Sequence, residues 1–209
     1  AIVESCADDD EIDRLLVDLL RHPSPQTEHL EADPELKKFI ADGIAPRLGE
    51  LTGSAGTLDA MGNLIWRAGD SVNRGLLLMG YAMTFPAGSM EQPFSGAIVD
   101  GTPFGFSSSC AIGRGACEQK GALAAMLYAA TILTRAQIDL RAPLTLAVSL
   151  AGETGRHDAA KFILANHAID ARAAIVGLGT SNRICLGNKG RIDVEIIVRG
   201  KSAHSSMPE

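Results

Sequence analysis

Apolar residues recur at Ile12, Leu15, Leu16, Leu19 and Leu20, directly after the acidic run Asp8-Asp9-Asp10. That spacing predicts an amphipathic helix with its acids where the helix dipole favours negative charge. Pro23 and Pro25 close it. Asp33-Pro34 opens a second helix carrying Leu36, Phe39, Ile40, Ile44 and Leu48, with Pro46 as a candidate interruption. Gly62-Asn63 then separates a short run at 57–61 from Leu64-Ile65-Trp66, the pattern of a hairpin.

Residues 75–80 are continuously apolar and too few for a helix, which predicts a strand covered on both faces. Residues 143–150 and 173–177 read the same way. Between the strands lie two helical stretches, an Ala- and Leu-rich one at 122–133 and a second at 158–166. Buried strands alternating with helices predict a three-layer α/β domain with a mostly parallel sheet, whose functional loops follow the carboxyl ends of the strands. After residue 183 the pattern changes. Ile192, Val194, Ile196 and Val198 alternate with mostly polar neighbours across 191–199, predicting a half-exposed strand of an antiparallel sheet and a domain boundary near 185–189.

Composition narrows the function. A net charge of -6 over 209 residues disfavours a polyanionic partner, so no nucleic acid is expected and a small-molecule ligand fits better. No run of about 18 apolar residues suits a membrane span. The four cysteines, Cys6, Cys110, Cys117 and Cys185, form no C-x-x-C pair, which predicts a reducing, cytoplasmic setting. Aromatics make up only 4% of the chain, so the core must rest on aliphatic side chains.

The candidate chemistry lies in five loops: Tyr81 to Pro86, Gly113-Arg114-Gly115 through Lys120-Gly121, Gly152-Glu153-Thr154-Gly155-Arg156-His157, Gly177-Leu178-Gly179, and Gly200-Lys201-Ser202-Ala203-His204-Ser205-Ser206. Singly they are weak. The Gly-Arg-Gly run fits neither a dinucleotide fingerprint nor a phosphate loop, because Lys120 is followed by Gly121. Glu153 and His157, four apart, would share a helical face or simply form a solvated first turn.

In order and spacing together, the loops resemble co-catalytic zinc hydrolases of the aminoacylase, acetylornithine deacetylase and carboxypeptidase G type. The resemblance runs from about Leu76 onward and rests on Gly113-Arg114-Gly115 with Lys120-Gly121, on Glu153-Thr154-Gly155, and on the loop around His204 with Pro208. It implies a zinc-exopeptidase-like α/β domain over residues 1–185 and the start of an inserted α+β lid and dimerisation domain at 186–209, continuing past residue 209. It also implies a homodimer through the lid, and a small amide as substrate.

The same resemblance places family metal ligands and their supports on residues unable to do that work. The first histidine ligand falls on Tyr81, the aspartate that orients it on Met83, the general base on Gly152, and a further carboxylate on Leu178. The bridging aspartate becomes Glu118, and one glutamate ligand survives as Glu153. Zinc or another divalent cation is therefore expected to bind at Glu118 and Glu153 weakly or not at all. Two readings stay open. In one, an amidohydrolase or peptidase acts on small N-acyl amino acids or dipeptide-like compounds through a rebuilt site, with Glu153, His157 and Tyr81 as catalytic candidates and Cys117 nearby. In the other, an inactive member binds amino-acid derivatives, Tyr81 filling the volume of lost metal, Cys117 acting as a buried hydrophobe and His157 as a surface cap. His204 lies in an intact motif and is expected to contact substrate, stabilising a developing oxyanion.

Overall fold

The computed structural model describes the chain apart from residues 1, 71, 182, 188, 189, 191, 193, 203, 205 and 207–209. A short helix, α1 (Ile2–Ser5), precedes α2 (Asp9–Leu20). Asp8 caps α2 by accepting from the Asp10 amide at 3.0 Å. The second predicted helix is one continuous helical run in three parts: α3 (Pro34–Lys38), a π-helical turn (Phe39–Ile44) and α4 (Ala45–Thr52). The π turn explains how Pro46 is tolerated. The Ala45 amide bonds the Ile40 carbonyl, five residues back, and this register shift puts Pro46 in the first turn of α4, where no N–H is needed.

The sheet begins with β1 (Thr57–Leu58) and β2 (Leu64–Ala68), the expected hairpin, followed by β3 (Gly75–Tyr81). A separate two-stranded hairpin comes next, β4 (Ala97–Asp100) with β5 (Ser109–Ile112), then α5 (Gln119–Arg135), β6 (Leu144–Ser149), α6 (Asp158–Asn166) and β7 (Ala171–Val176). The main sheet has the order β1-β2-β6-β3-β7. Strands β6, β3 and β7 run parallel, and β1 and β2 form an antiparallel margin. The fold is therefore the mixed α/β class with a largely parallel centre.

Side-chain alternation explains why β3 and β6 are apolar throughout. Leu78, Leu144, Leu146 and Val148, with Leu64 and Trp66, face the helical layer of α2, α4 and α5. Leu77, Ala147 and Ile65 face the opposite side, where Ile163 of α6 packs. Both faces are covered, so neither parity of the strand is polar. Among the described residues no helix is long and apolar enough to cross a membrane.

Two expectations need correction, and one element was not foreseen. Strand β7 is not covered on both faces: Ile175 and Val176 are 53% and 56% exposed. It lies at the margin of the sheet with β3 as its one neighbour among the described residues. The alternating segment 191–199 is not a strand at any described position, and Ile192, Val194, Ile196 and Val198 are all exposed. Alternation supplies a face, but a strand also needs a partner ladder for its backbone groups, and none lies beside this segment among the described residues. The β4–β5 hairpin was not foreseen, because its strands are four residues each and half exposed.

Candidate active site

Four of the five candidate loops converge at the carboxyl ends of the parallel strands. Tyr81 ends β3, Gly152 and Glu153 follow β6, and Gly177-Leu178-Gly179 follow β7. Glu118 stands at the N-cap of α5, where the helix dipole favours its charge. The loops are pinned by backbone bonds that prolong the sheet: the Ala82 amide to the Ser149 carbonyl at 2.9 Å and the Met83 amide to the Leu150 carbonyl at 3.1 Å. Buried Asn63 accepts from the Leu150 amide at 3.0 Å, which fixes the exit of β6. The loop after β7 is pressed against the turn before α5. A Cβ at position 179 would lie 1.9 Å from the Cys117 carbonyl oxygen, so only glycine fits.

Tyr81 is the centre of the arrangement. It is 6% exposed, and its hydroxyl accepts a hydrogen bond from Gln119 Nε2. The Glu153 carboxylate lies near enough to act on the same hydroxyl. Burial holds the phenol well above its ordinary pKa, and the negative charges of Glu153 and Glu118 push in the same direction; the Gln119 bond opposes them. The phenol is thus a neutral donor at any physiological pH. Gln119 is 1% exposed, and its Oε1 has no hydrogen-bond partner among the described residues.

Gly152 and Tyr81 are complementary. A Cβ on Gly152 would come within 2.7 Å of Tyr81 ring carbons, so the ring occupies the space a side chain at 152 would need. The two replacements behave as a unit. Gly152→Ala is expected to cost about 1–3 kcal/mol of stability through overpacking in the native protein. In a Tyr81→Ala background the same change should cost nearly nothing, and additive losses in urea melts of the cycle would disprove the coupling.

Glu153 adopts a left-handed backbone with φ 55°, a conformation rare for residues other than glycine, so the surrounding loop must hold it there. Part of that hold comes from Glu31, 5% exposed, which accepts from Thr154 Oγ1 at 3.0 Å and from the Asp158 amide at 3.3 Å. This carboxylate, absent from the motifs read in the sequence, ties the Glu153 loop to the start of α6. Its signal was slight, one glutamate in a polar stretch before Asp33.

The remaining candidates are placed less centrally. His157 precedes α6 with φ 56° and an exposed side chain that makes no hydrogen bond among the described residues, so it does not cap that helix. Cys117 is exposed, which corrects its reading as a buried hydrophobe. Leu178 is 41% exposed beside the site. His204 is exposed, and its described hydrogen bonds are local, Nδ1 to Ser206 Oγ at 2.7 Å and from the Ser206 amide at 3.3 Å.

The residues present do not suit paired zinc ions. Among the described residues no three of His, Cys, Asp and Glu are grouped to hold a metal. Tyr81 fills the cradle over Gly152, its oxygen already accepts from Gln119, and Leu178 offers no donor atom.

Residues 84–208 match the model of the peptidase family M20/M25/M40. A probable succinyl-diaminopimelate desuccinylase of Staphylococcus epidermidis is 26% identical over 200 residues, 93% of this chain and 46% of that protein. An acetylornithine deacetylase of Myxococcus xanthus is 41% identical over 96 residues, 46% of this chain and 24% of that protein. Among solved structures, an M20 family metallo-carboxypeptidase from Sulfolobus solfataricus superposes with a TM-score of 0.64 at 19% identity, covering 82% of this chain and 37% of that one. Human carnosine dipeptidase 1 gives a TM-score of 0.60 at 16% identity, covering 84% and 40%. The chain spans less than half the length of these relatives.

Proposed function

Since this chain belongs to the peptidase family M20/M25/M40, we propose that it acts on the amide bond of small N-acyl amino acids or dipeptide-like compounds through a site rebuilt around Glu153 and Tyr81. The observation that carries this reading is the buried Tyr81 hydroxyl, held by Gln119 Nε2, with the Glu153 carboxylate near enough to act on it. A carboxylate beside a neutral phenol supplies the two elements that amide hydrolysis needs in the absence of a metal pair. Glu153 takes a proton from the attacking water as its oxygen bonds to the amide carbon. The Tyr81 hydroxyl donates to the oxyanion that forms. When the C–N bond breaks, the proton held by Glu153 passes to the leaving nitrogen.

His157, exposed at the head of α6, is the second proton carrier of this reading. His204 reaches the substrate from residues 186–209, the start of the lid and dimerisation domain, in a homodimer. Glu118 and Glu153 remain the positions where a divalent cation would bind, weakly. The setting is cytoplasmic.

A second reading, a binding protein without turnover, is favoured by one specific observation: the ring of Tyr81 closes the space over Gly152, where the resemblance puts the general base. Turnover of a panel of N-acyl amino acids and dipeptides, measured with a chelator and with added zinc, separates the two. The expected result is slow hydrolysis that survives the chelator. Hydrolysis that requires zinc would sink the rebuilt site, and saturable binding without turnover would leave the binding protein.

A further inference from the structure

Seven residues other than glycine hold a left-handed backbone among the described residues. Three of them, Leu30 (φ 47°), Glu153 (φ 55°) and His157 (φ 56°), immediately precede the three members of one hydrogen-bonded group. Those members are Glu31, Thr154 and Asp158. Glu31 Oε1 accepts from Thr154 Oγ1 at 3.0 Å and from the Asp158 amide at 3.3 Å. Thr154 Oγ1 in turn accepts from the His157 amide at 3.1 Å and from the Arg156 amide at 3.3 Å. Left-handed backbone at such residues persists only where the surroundings over-determine it. Here the surroundings centre on one buried carboxylate, 5% exposed, and the hydroxyl it holds.

Glu31 is anchored in turn by the segment around it, residues 22–33, which touches the other site loops. The His22 carbonyl accepts from Lys120 Nζ at the start of α5. The Thr84 amide, in the loop after β3, donates to the Ser24 carbonyl at 2.7 Å, and the Gln26 amide donates to the Thr84 carbonyl at 2.6 Å. Beyond Glu31, buried Asp33 accepts from Thr27 Oγ1 and caps α3 by accepting from the Glu35 amide at 2.8 Å. The strap therefore holds the loop after β3 directly and the loop after β6 through Glu31. Those loops carry Tyr81 and Glu153, whose separation the proposed reaction needs fixed.

We propose that Glu31 is a positioning residue, which locks the loop between β6 and α6 onto the strap 22–33 and so sets Glu153 and His157 against Tyr81. Its kinetic consequence rests on the proposed function, whereas the lock itself does not. Hydrogen exchange therefore tests the lock separately from turnover.

The variants are Glu31→Ala, Glu31→Gln and Thr154→Val. Both bonds end on one oxygen, so a glutamine carbonyl can accept both and alanine neither. In Glu31→Ala the amides of Gln26, Thr84, Arg156, His157 and Asp158 should exchange about tenfold faster or more, while amides within β3 and β6 keep native rates. Glu31→Gln should exchange as the native protein does. On the best amide substrate, Glu31→Ala should lower kcat by about 10–100-fold with KM changed by less than about threefold, and Glu31→Gln should restore most of the loss. Thr154→Val removes the hydroxyl at nearly constant volume and should reproduce the faster exchange at Arg156 and His157, so the outcome does not hang on one variant folding. Native exchange in both Glu31→Ala and Thr154→Val, equal acceleration in Glu31→Gln, or a loss that falls on KM would each overturn the proposal. The expected exchange pattern in a protein without turnover would reject hydrolysis and keep the lock.

Discussion

Glu153→Gln is expected to lower kcat/KM for the best amide substrate by about 10²–10⁴-fold, the range associated with loss of a general base. Glutamine keeps the length and an acceptor oxygen for the Tyr81 hydroxyl, so the pocket geometry survives while proton affinity is lost. The backbone at this position is already left-handed at φ 55°, and both side chains face the same strain there. The loss should fall on kcat with KM changed by less than about threefold, since the carboxylate is asked to act in the transition state. Tyr81→Phe is the matched control. It leaves the ring packed over Gly152 and removes only the hydroxyl, so its loss should fall at the lower end of that range, about 10²–10³-fold, as for one hydrogen bond to an oxyanion. Unchanged kinetics in Glu153→Gln would exclude this residue as the base, and equal losses in the two variants would shift the chemistry toward the phenol.

The sheet was readable because both faces of β3 and β6 are covered, which forces a run with no polar parity. Helix α2 was readable from its acidic start and apolar spacing, and α5 from its Ala- and Leu-rich run. The π turn before Pro46 was not, because a proline shows only that an N–H is missing, and the chain can answer by kinking, ending or gaining a residue. Segment 191–199 misled for a different reason: its pattern describes a surface, while strand formation depends on a neighbour that no local pattern specifies. At the site, the convergence of the loops on Tyr81, Glu118 and Glu153 was legible through motif order. The partnership of Tyr81 with Gly152 was visible only as two separate departures. That the ring of one fills the volume denied to the other requires coordinates. Gln119 and Glu31 carried no motif at all, and their importance lies in burial and hydrogen bonding, which a single sequence does not display.

Lys120 leads to the second large effect, on stability and its pH dependence. Its side chain is fully buried on α5, with Nζ donating to the His22 carbonyl and lying 4.9 Å from the centre of the Phe39 ring. One hydrogen bond and a ring face do not replace the hydration of an ammonium, and burial lowers its pKa to about 7. The unfolded chain keeps a lysine pKa of about 10.4. Below about 7 both states are charged, and the folded protein carries the full cost of the buried ammonium. Between that value and about 10.4 the unfolded state holds the extra proton, so stability rises with pH, by at most about 1.4 kcal/mol per unit. His22 titrates on the other side of this window: burial and then Lys120 depress its pKa, so its contribution is lost as pH falls through the unfolded value near 6.5. Lys120→Met keeps an unbranched stem over Phe39 and removes the titration. Urea unfolding from pH 7 to pH 10 should therefore show native stability gaining on the variant by about 3–5 kcal/mol across the window. In the variant the His22 imidazole, followed by NMR, should titrate closer to its ordinary value. Parallel stability curves for the two proteins would mean that Lys120 finds in the fold the solvation it has in water.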